Sequence, residues 1–346
     1  MPEILFFSDV HIAAHKGSQD RLEDCLKVLQ WVFDTARKRK IKNIVFGGDL
    51  FQDRQKIQVL AYNKTFNVLN ANPDINLYLL LGNHDLWFYE SKEISSVHPF
   101  AALKNVTVVS EPSTVMVGDF PIDFLPFTHN PINTLKNWKA KKSNVLIGHI
   151  AVDGAVLNFN HRTKAEVSVE NENDMVPVSR DLFDGWNRVF LGHYHGAQKL
   201  TDKVEYIGSP LQLTFNEAFQ EKHILAMDTE TLETIAIVND FSPKHLILDA
   251  VDLPEDLGRN FVRVYVDDLN SADVVDLQSK VRSTSPDSQV TFLPKEIIAK
   301  EESKEDRMLK FNLQDGDLFQ RFISASNTQN LDTNDLLKIA QEICAE

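Results

Sequence analysis

Asn43-Ile44-Val45-Phe46-Gly47-Gly48-Asp49-Leu50-Phe51 and Leu77-Tyr78-Leu79-Leu80-Leu81-Gly82-Asn83-His84-Asp85 share one plan: an apolar run, a glycine, then a polar residue. Short apolar runs closed by glycine read as buried strands. Each strand therefore delivers a polar side chain at its carboxyl end, where open α/β sheets bind ligands. Asp49 and Asn83 offer oxygen ligands suited to Mg2+ or Mn2+. The glycines let the backbone turn sharply beneath them.

The plan recurs outward from these two stretches. Glu3 to Ser8 reads as a strand ending at Asp9-Val10-His11. Residues i and i+2 of a strand face alike, so Asp9 and His11 can share one metal. Val145 to Gly148 leads into His149, and Arg188 to Gly192 into His193-Tyr194-His195, again with i and i+2 on one side. Leu22, Leu26, Leu29, Phe33 and Ala36 form a helical stripe over residues 19–40, and Leu60, Phe66 and Leu69 another near 58–70. The first 85 residues thus read β-α-β-α-β, with right-handed crossovers expected.

Beyond them, short strands at Val106–Val109, Thr114–Val117 and Ile122–Leu125 predict a second sheet packed on the first. Strands near 204–207, 224–228 and 234–238 complete a β-rich half. The polar stretch 153–174 reads as a long loop beside the site. After Lys244, a strand (261–266), a helix (274–281) and a strand (289–293) make a small α+β module. A charge-rich connector, Ala299 to Lys310, follows. Amphipathic helices near Leu318–Ala325 and Thr333–Ala345 close the chain.

With 346 residues, 43% of them hydrophobic and 25% charged, the composition is that of an ordinary soluble protein with room for one large domain and an appendage. No apolar run nears the roughly 18 residues that span a bilayer, and the start is no signal peptide. Two cysteines, Cys25 and Cys344, far apart in expected helices, point to a reduced, cytoplasmic setting. The net charge of −14 argues against a surface coated with basic residues for gripping nucleic acid. It does not exclude a nucleic-acid enzyme whose divalent metals supply positive charge locally. Arg37-Lys38-Arg39-Lys40 reads as basic residues complementing the dipole at a helix end.

Eight polar residues stand at strand ends: Asp9, His11, Asp49, Asn83, His84, His149, His193 and His195. A lone histidine after a strand is most often a hydrogen-bonded core or rim residue. Here five of the 11 histidines follow apolar runs. Seven of the eight fit two metals, with Asp49 as the bridging carboxylate, because cations about 3.5–4 Å apart need a shared anion. Such a pair binds a phosphate oxygen and lowers the pKa of a bridging water. His84 is left over. It follows a ligand directly and should point away from the cluster, which suits contact with the substrate phosphate or protonation of the leaving oxygen.

Asp9-x-His11, Gly48-Asp49, Gly82-Asn83-His84-Asp85, Gly148-His149 and Gly192-His193-x-His195 resemble, in order and type, the calcineurin-like metallophosphoesterases. Leu182-Phe183-Asp184-Gly185 and the run from Tyr206 through Gly208-Ser209-Pro210 to Phe215-Asn216-Glu217 resemble the SbcD-type nuclease subunits of double-strand-break repair complexes, as does Asp49-Leu50-Phe51 with Asp53-Arg54. The motifs cover roughly residues 1–240. The resemblance implies an α/β fold, a four-layer α/β/β/α sandwich, over residues 1–245. It implies a small α+β capping module that steers DNA at 246–298, and a linker with C-terminal helices docking on a coiled-coil ATPase at 299–346.

By the same resemblance one metal takes Asp9, His11, Asp49 and His195, and the other Asp49, Asn83, His149 and His193; His84 is the catalytic histidine. The cofactors are two divalent ions, Mn2+ foremost, with Mg2+ or an Fe or Zn pair as alternatives. The activity is a DNA exonuclease on duplex ends and an endonuclease on single strands or hairpins. The partners are DNA ends, an SbcC-like ATPase and a second copy through the helical layer, with no membrane. The alternative is a stand-alone phosphodiesterase acting on small nucleotides. Asp53-Arg54-Gln55 and Asn83-His84-Asp85 depart from the Asp-Arg-Gly and Gly-Asn-His-Glu of protein phosphatases. The acidic Asn171-Glu172-Asn173-Asp174 is this chain's own, and His129 and His161 carry no assigned role.

Overall fold

The computed structural model describes residues 3–15, 18–88, 91–138, 143–156, 177–268 and 272–295. The connector, both C-terminal helices, Cys344, His161 and Asn171 to Asp174 lie outside them. In chain order the elements are β1 (Glu3–Phe7), α1 (Gln19–Arg39), β2 (Asn43–Phe46), α2 (Val59–Asn70), β3 (Asn76–Leu80), β4 (Leu86–Phe88), β5 (Ser91–Ser95), β6 (Val106–Val109), β7 (Ser113–Val117), β8 (Phe120–Leu125), α3 (Pro131–Asn137), β9 (Val145–His149), β10 (Arg188–Gly192), β11 (Gln198–Lys199), β12 (Val204–Tyr206), β13 (His223–Asp228), β14 (Thr234–Val238), β15 (His245–Asp249), β16 (Phe261–Val266), α4 (Ala272–Thr284) and β17 (Gln289–Pro294).

The chain divides into two units. The first, Met1–Ile247 with Asp256–Val262 and Asp287–Gln289, carries two six-stranded sheets in the orders β14-β13-β1-β2-β3-β6 and β11-β12-β10-β9-β8-β7. Each sheet has a parallel centre: β1, β2, β3 and β6 in one, β8, β9, β10 and β12 in the other. Antiparallel strands flank both. The second unit, Leu248–Glu255, Arg263–Pro286 and the residues from Val290 onward, carries α4 and most of the three-stranded sheet β15-β16-β17. There Val264 and Val266 alternate inward along β16, while Val274 and Val281, two turns apart on α4, are buried.

Strand alternation builds the layers of the first unit. Phe6, Val45, Tyr78 and Leu80 of one sheet meet Ile122, Phe124, Ile147 and Phe190 of the other in a core between the sheets. Their neighbours Leu5, Phe7, Ile44, Phe46, Leu77 and Leu79 face the other way, into a core with Leu22, Leu26, Leu29, Phe33 and Ala36 of α1. On the far side of the second sheet, Leu146, Val189 and Leu191 pack with Leu135 of α3 and Phe183, and Trp138 meets Trp186 edge-on at 6.0 Å. This is the α/β/β/α sandwich.

Two expectations change in detail. Val106–Val109 does not open the second sheet; it pairs parallel with β3 and extends the first. β13 and β14 also return to the first sheet, beside β1. Strand periodicity shows that a segment joins a sheet but carries no mark of which sheet that is. The basic run at the end of α1 is taken up locally. Arg37 bonds Asp74 at 3.0 Å and Asp34 at 3.1 Å, Arg39 pairs with Glu3, and Lys40 caps the helix in a left-handed conformation at φ 62°. Cys25 is buried in α1, and burial pushes its thiol up to about 12, so it acts as a packing group. No helix among the described residues is long and apolar enough to cross a membrane.

Phe6 and Phe190 stack across the two sheets at 4.5 Å, both fully buried. Phe190→Ala should cost about 3–5 kcal/mol, the usual range for emptying such a site, read as a lower urea midpoint at unchanged m-value.

Candidate active site

Five parallel strands, β1, β2, β3, β9 and β10, end at one edge of the sandwich, and each delivers a member of the polar set. His149 is the last residue of β9. The others stand in loops just past their strands. The amide of Asp9 donates to the Gly48 carbonyl at 3.0 Å and that of His11 to the Asp49 carbonyl at 3.1 Å, so the loops after β1 and β2 stay joined beyond the strands.

Asp9 and His11 are not on the strand. They lie beyond Phe7 in left-handed backbone, at φ 55° and 46°. Asp49 and His193 are left-handed too, at 61° and 97°. Such conformations are rare outside glycine, cost about 1–3 kcal/mol each, and cluster at functional sites. The bend, not strand alternation, brings Asp9 and His11 together. It also separates His193 from His195, which enter different groups.

Among the described residues, three sets of side chains offer ligand atoms within 4.8 Å of one another: Asp9, His11 and His195; Asp49, His149 and His193; and His11, Asp49 and His84. Asn83 joins the second set, its Oδ1 lying 3.0 Å from His149 Nε2 and 3.2 Å from His193 Nδ1. Asp49 Oδ2 lies 3.2 Å from His149 Nε2 and 3.6 Å from His11 Nε2, between the sets. All eight residues singled out from the sequence thus meet in one pocket. His84 does not turn away from it. Its ring stands edge-on to His11 at 4.9 Å, its amide donates to Asp49 Oδ1 at 2.8 Å, and Nδ1 meets the Gln52 carbonyl at 2.6 Å.

The donor set fits divalent cations. His11 Nε2 and His195 Nε2 face each other at 3.0 Å, a separation that asks for a proton or a cation between them. His11 Nδ1 is buried with no hydrogen-bond partner among the described residues. Burial works against the charged form of Asp49, yet His149 and His11 hold its carboxyl well below the usual range. Burial likewise opposes protonation of His149, but Asp49 outweighs it and raises the imidazole to about 9. Burial and the charge of His149 press His193 down to about 3. The imidazole and carboxylate ligands of the pocket suit first-row divalent ions.

Two supporting residues were not legible as such. Asp85 is fully buried. Its carboxylate accepts from the amides of Asp49 at 2.9 Å, Leu50 at 3.0 Å and Gly82 at 3.0 Å; burial and the charge of Asp49 push it up to about 7. The sequence marks it only as the end of the Gly82-Asn83-His84-Asp85 quartet. Glu217 holds His195 Nδ1 at 3.1 Å; 22 residues separate them, and no local pattern links the two. Gly82 is a forced choice, because a Cβ there would overlap the Asp49 carboxylate. Gly48, at φ 102°, would likewise drive a Cβ into His149 and to 2.9 Å from the Gly82 backbone. His129, edge-on to Phe127 at 5.4 Å, belongs to none of the three sets.

Comparison with known proteins gives the family. The profile of the calcineurin-like phosphoesterases matches residues 2–197. The SbcD subunit of the nuclease SbcCD from Staphylococcus saprophyticus is 24% identical over 253 residues, 64% of this chain and 64% of that protein, so the chain spans under two thirds of this relative's length. Among solved structures, a novel archaeal phosphodiesterase is similar at 12% identity and TM-score 0.36, over 68% of this chain and 99% of that one. Pseudomonas putida nuclease MPE is similar at 15% identity and TM-score 0.30, over 58% and 66%. With more than half of its length matched by the family profile, this chain belongs to the calcineurin-like phosphoesterases.

Proposed function

We propose that this phosphoesterase is a two-metal DNA nuclease. It acts on duplex ends as an exonuclease and on single strands or hairpins as an endonuclease, as one subunit of a repair or recombination complex. The observation that carries the reading is Asp49, whose one carboxylate stands within ligand reach of both histidine sets. In this reading Asp9, His11, Asp49 and His195 hold one ion, and Asp49, Asn83, His149 and His193 the other. Two divalent ions there, Mn2+ foremost, supply Lewis-acid polarisation of the phosphoryl group and a nucleophilic water at neutral pH.

The chain's own residues do the rest. Asp85 and the crossed loops fix Asp49 before substrate arrives. His84 gives Nδ1–H to the Gln52 carbonyl, and in its imidazolium form it carries a second proton on Nε2, which meets the scissile phosphate and passes to the leaving oxygen, leaving the neutral ring still bonded to Gln52. Nuclease rather than small-nucleotide hydrolase is favoured by the likeness to a nuclease subunit, continuing to residues beyond the shared phosphoesterase core. The small second unit suits a cap over DNA, in the division 1–245, 246–298 and 299–346. The C-terminal segment is assigned to a coiled-coil ATPase, and the cell compartment to the cytoplasm. A homodimer is assigned to the helical layer.

His84→Ala should abolish cleavage of end-labelled duplex DNA with Mn2+ while leaving two ions bound by elemental analysis; loss of metal would make His84 a ligand instead. Gly82→Ala should deplete both ions at once by displacing Asp49, and an unchanged metal content would remove Asp49 from its bridging place. Deleting residues 311–346 should leave Mn2+-dependent hydrolysis of bis(p-nitrophenyl) phosphate intact and end co-purification with the ATPase. A wild-type chain that hydrolyses a cyclic nucleotide but no DNA would favour the small-nucleotide alternative.

A further inference from the structure

His195 is held from behind by a buried ion pair. Glu217 and Lys222, each about 6% exposed, meet at 2.7 Å. Glu217 Oε1 lies 3.1 Å from His195 Nδ1. Its other oxygen accepts from Ser209 Oγ at 3.1 Å and from the Leu213 amide at 3.1 Å. Lys222 Nζ donates to the His195 carbonyl at 2.8 Å and to Ser209 Oγ at 2.9 Å. Ring and backbone of one histidine are thus clamped by the two halves of one pair. Both halves lie beyond residues 2–197, the span of the family profile.

The backing is unequal across the pocket. His149 Nδ1 rests on the Gly47 carbonyl at 2.7 Å, and His84 Nδ1 on that of Gln52. His11 Nδ1 has no partner among the described residues. Of these four, only His195 has a carboxylate behind it. A carboxylate behind an imidazole fixes the tautomer, since Nδ1–H must donate to it, and makes the opposite nitrogen a stronger donor to a metal. That opposite nitrogen, Nε2, faces His11 and the Asp9 set.

The geometry points to Glu217, with Lys222, as the positioning pair that sets metal affinity at the Asp9–His11–His195 position and leaves the Asp49–His149–His193 position untouched. This rests on the two-metal reading above. Lys222 fixes the carboxylate and the His195 backbone, and Glu217 fixes the ring. The two positions therefore differ in what sustains them, and damage to the pair produces a chain that fills one position and not the other.

The test is Mn2+ titration calorimetry on the full chain, with melting curves in EDTA. Glu217→Ala/Lys222→Met removes both charges together, so no buried charge is left unpaired and the EDTA melt should stay near wild type. One of the two Mn2+ should weaken about 10–100-fold, with the other unchanged. Glu217→Gln keeps an acceptor for Nδ1–H and should fall between the two, with loss of the exchange-coupled signal of paired Mn2+ at sub-saturating metal. A folded double variant that binds both ions like wild type, or that weakens both equally, overturns the assignment. Wild-type protein that binds no second Mn2+ overturns the two-metal reading and this one with it, which separates the two failures.

Discussion

A single buried carboxylate takes three backbone amides. Asp85 accepts from Asp49, Leu50 and Gly82, and so ties the loop after β2 to the loop after β3. Everything in the pocket depends on that tie, because Asp49 stands between both histidine sets and its backbone is left-handed. A polar group buried without partners is costly, and one with three is a strong constraint. The glycines around it follow from the same closeness, since at Gly82 there is no room for a methyl group.

Much of this was legible beforehand. Apolar runs closed by glycine marked the strands whose ends carry the ligands, and the stripe of Leu22, Leu26, Leu29, Phe33 and Ala36 marked the helix that packs on the first sheet. What was not legible has identifiable causes. The apolar pattern of Val106–Val109 marks a strand but names no sheet. The turn at Asp9 and His11 looks like alternating strand in one dimension, but the backbone winds left-handed. His84 was expected to face away because it follows Asn83, yet the turn after Gly82 brings both toward Asp49. Glu217 reaches His195 only through tertiary structure, so no spacing rule could find it. The hairpin of β4 and β5, directly after the quartet, gave no periodic signal in strands this short.

The acidic balance of the chain acquires a local meaning. Arg37 and Arg39 are occupied by acids of their own fold, so the clearest basic run in the sequence serves the end of a helix. Within the pocket, carboxylates and imidazoles together suit divalent ions. Cations held there would attract an anionic ester at the point where it reacts.

The left-handed turns at Asp9, His11, Asp49 and His193 carry a consequence for how this chain tolerates change. Glycine sits in such a turn at lower energy than any residue that carries a Cβ. Random drift that favours durability alone would thus erode the working residues first, and the sturdiest descendants of this chain would be chemically idle. Aspartate and histidine in those four turns are therefore a cost in stability that this chain carries for the ligand atoms they place.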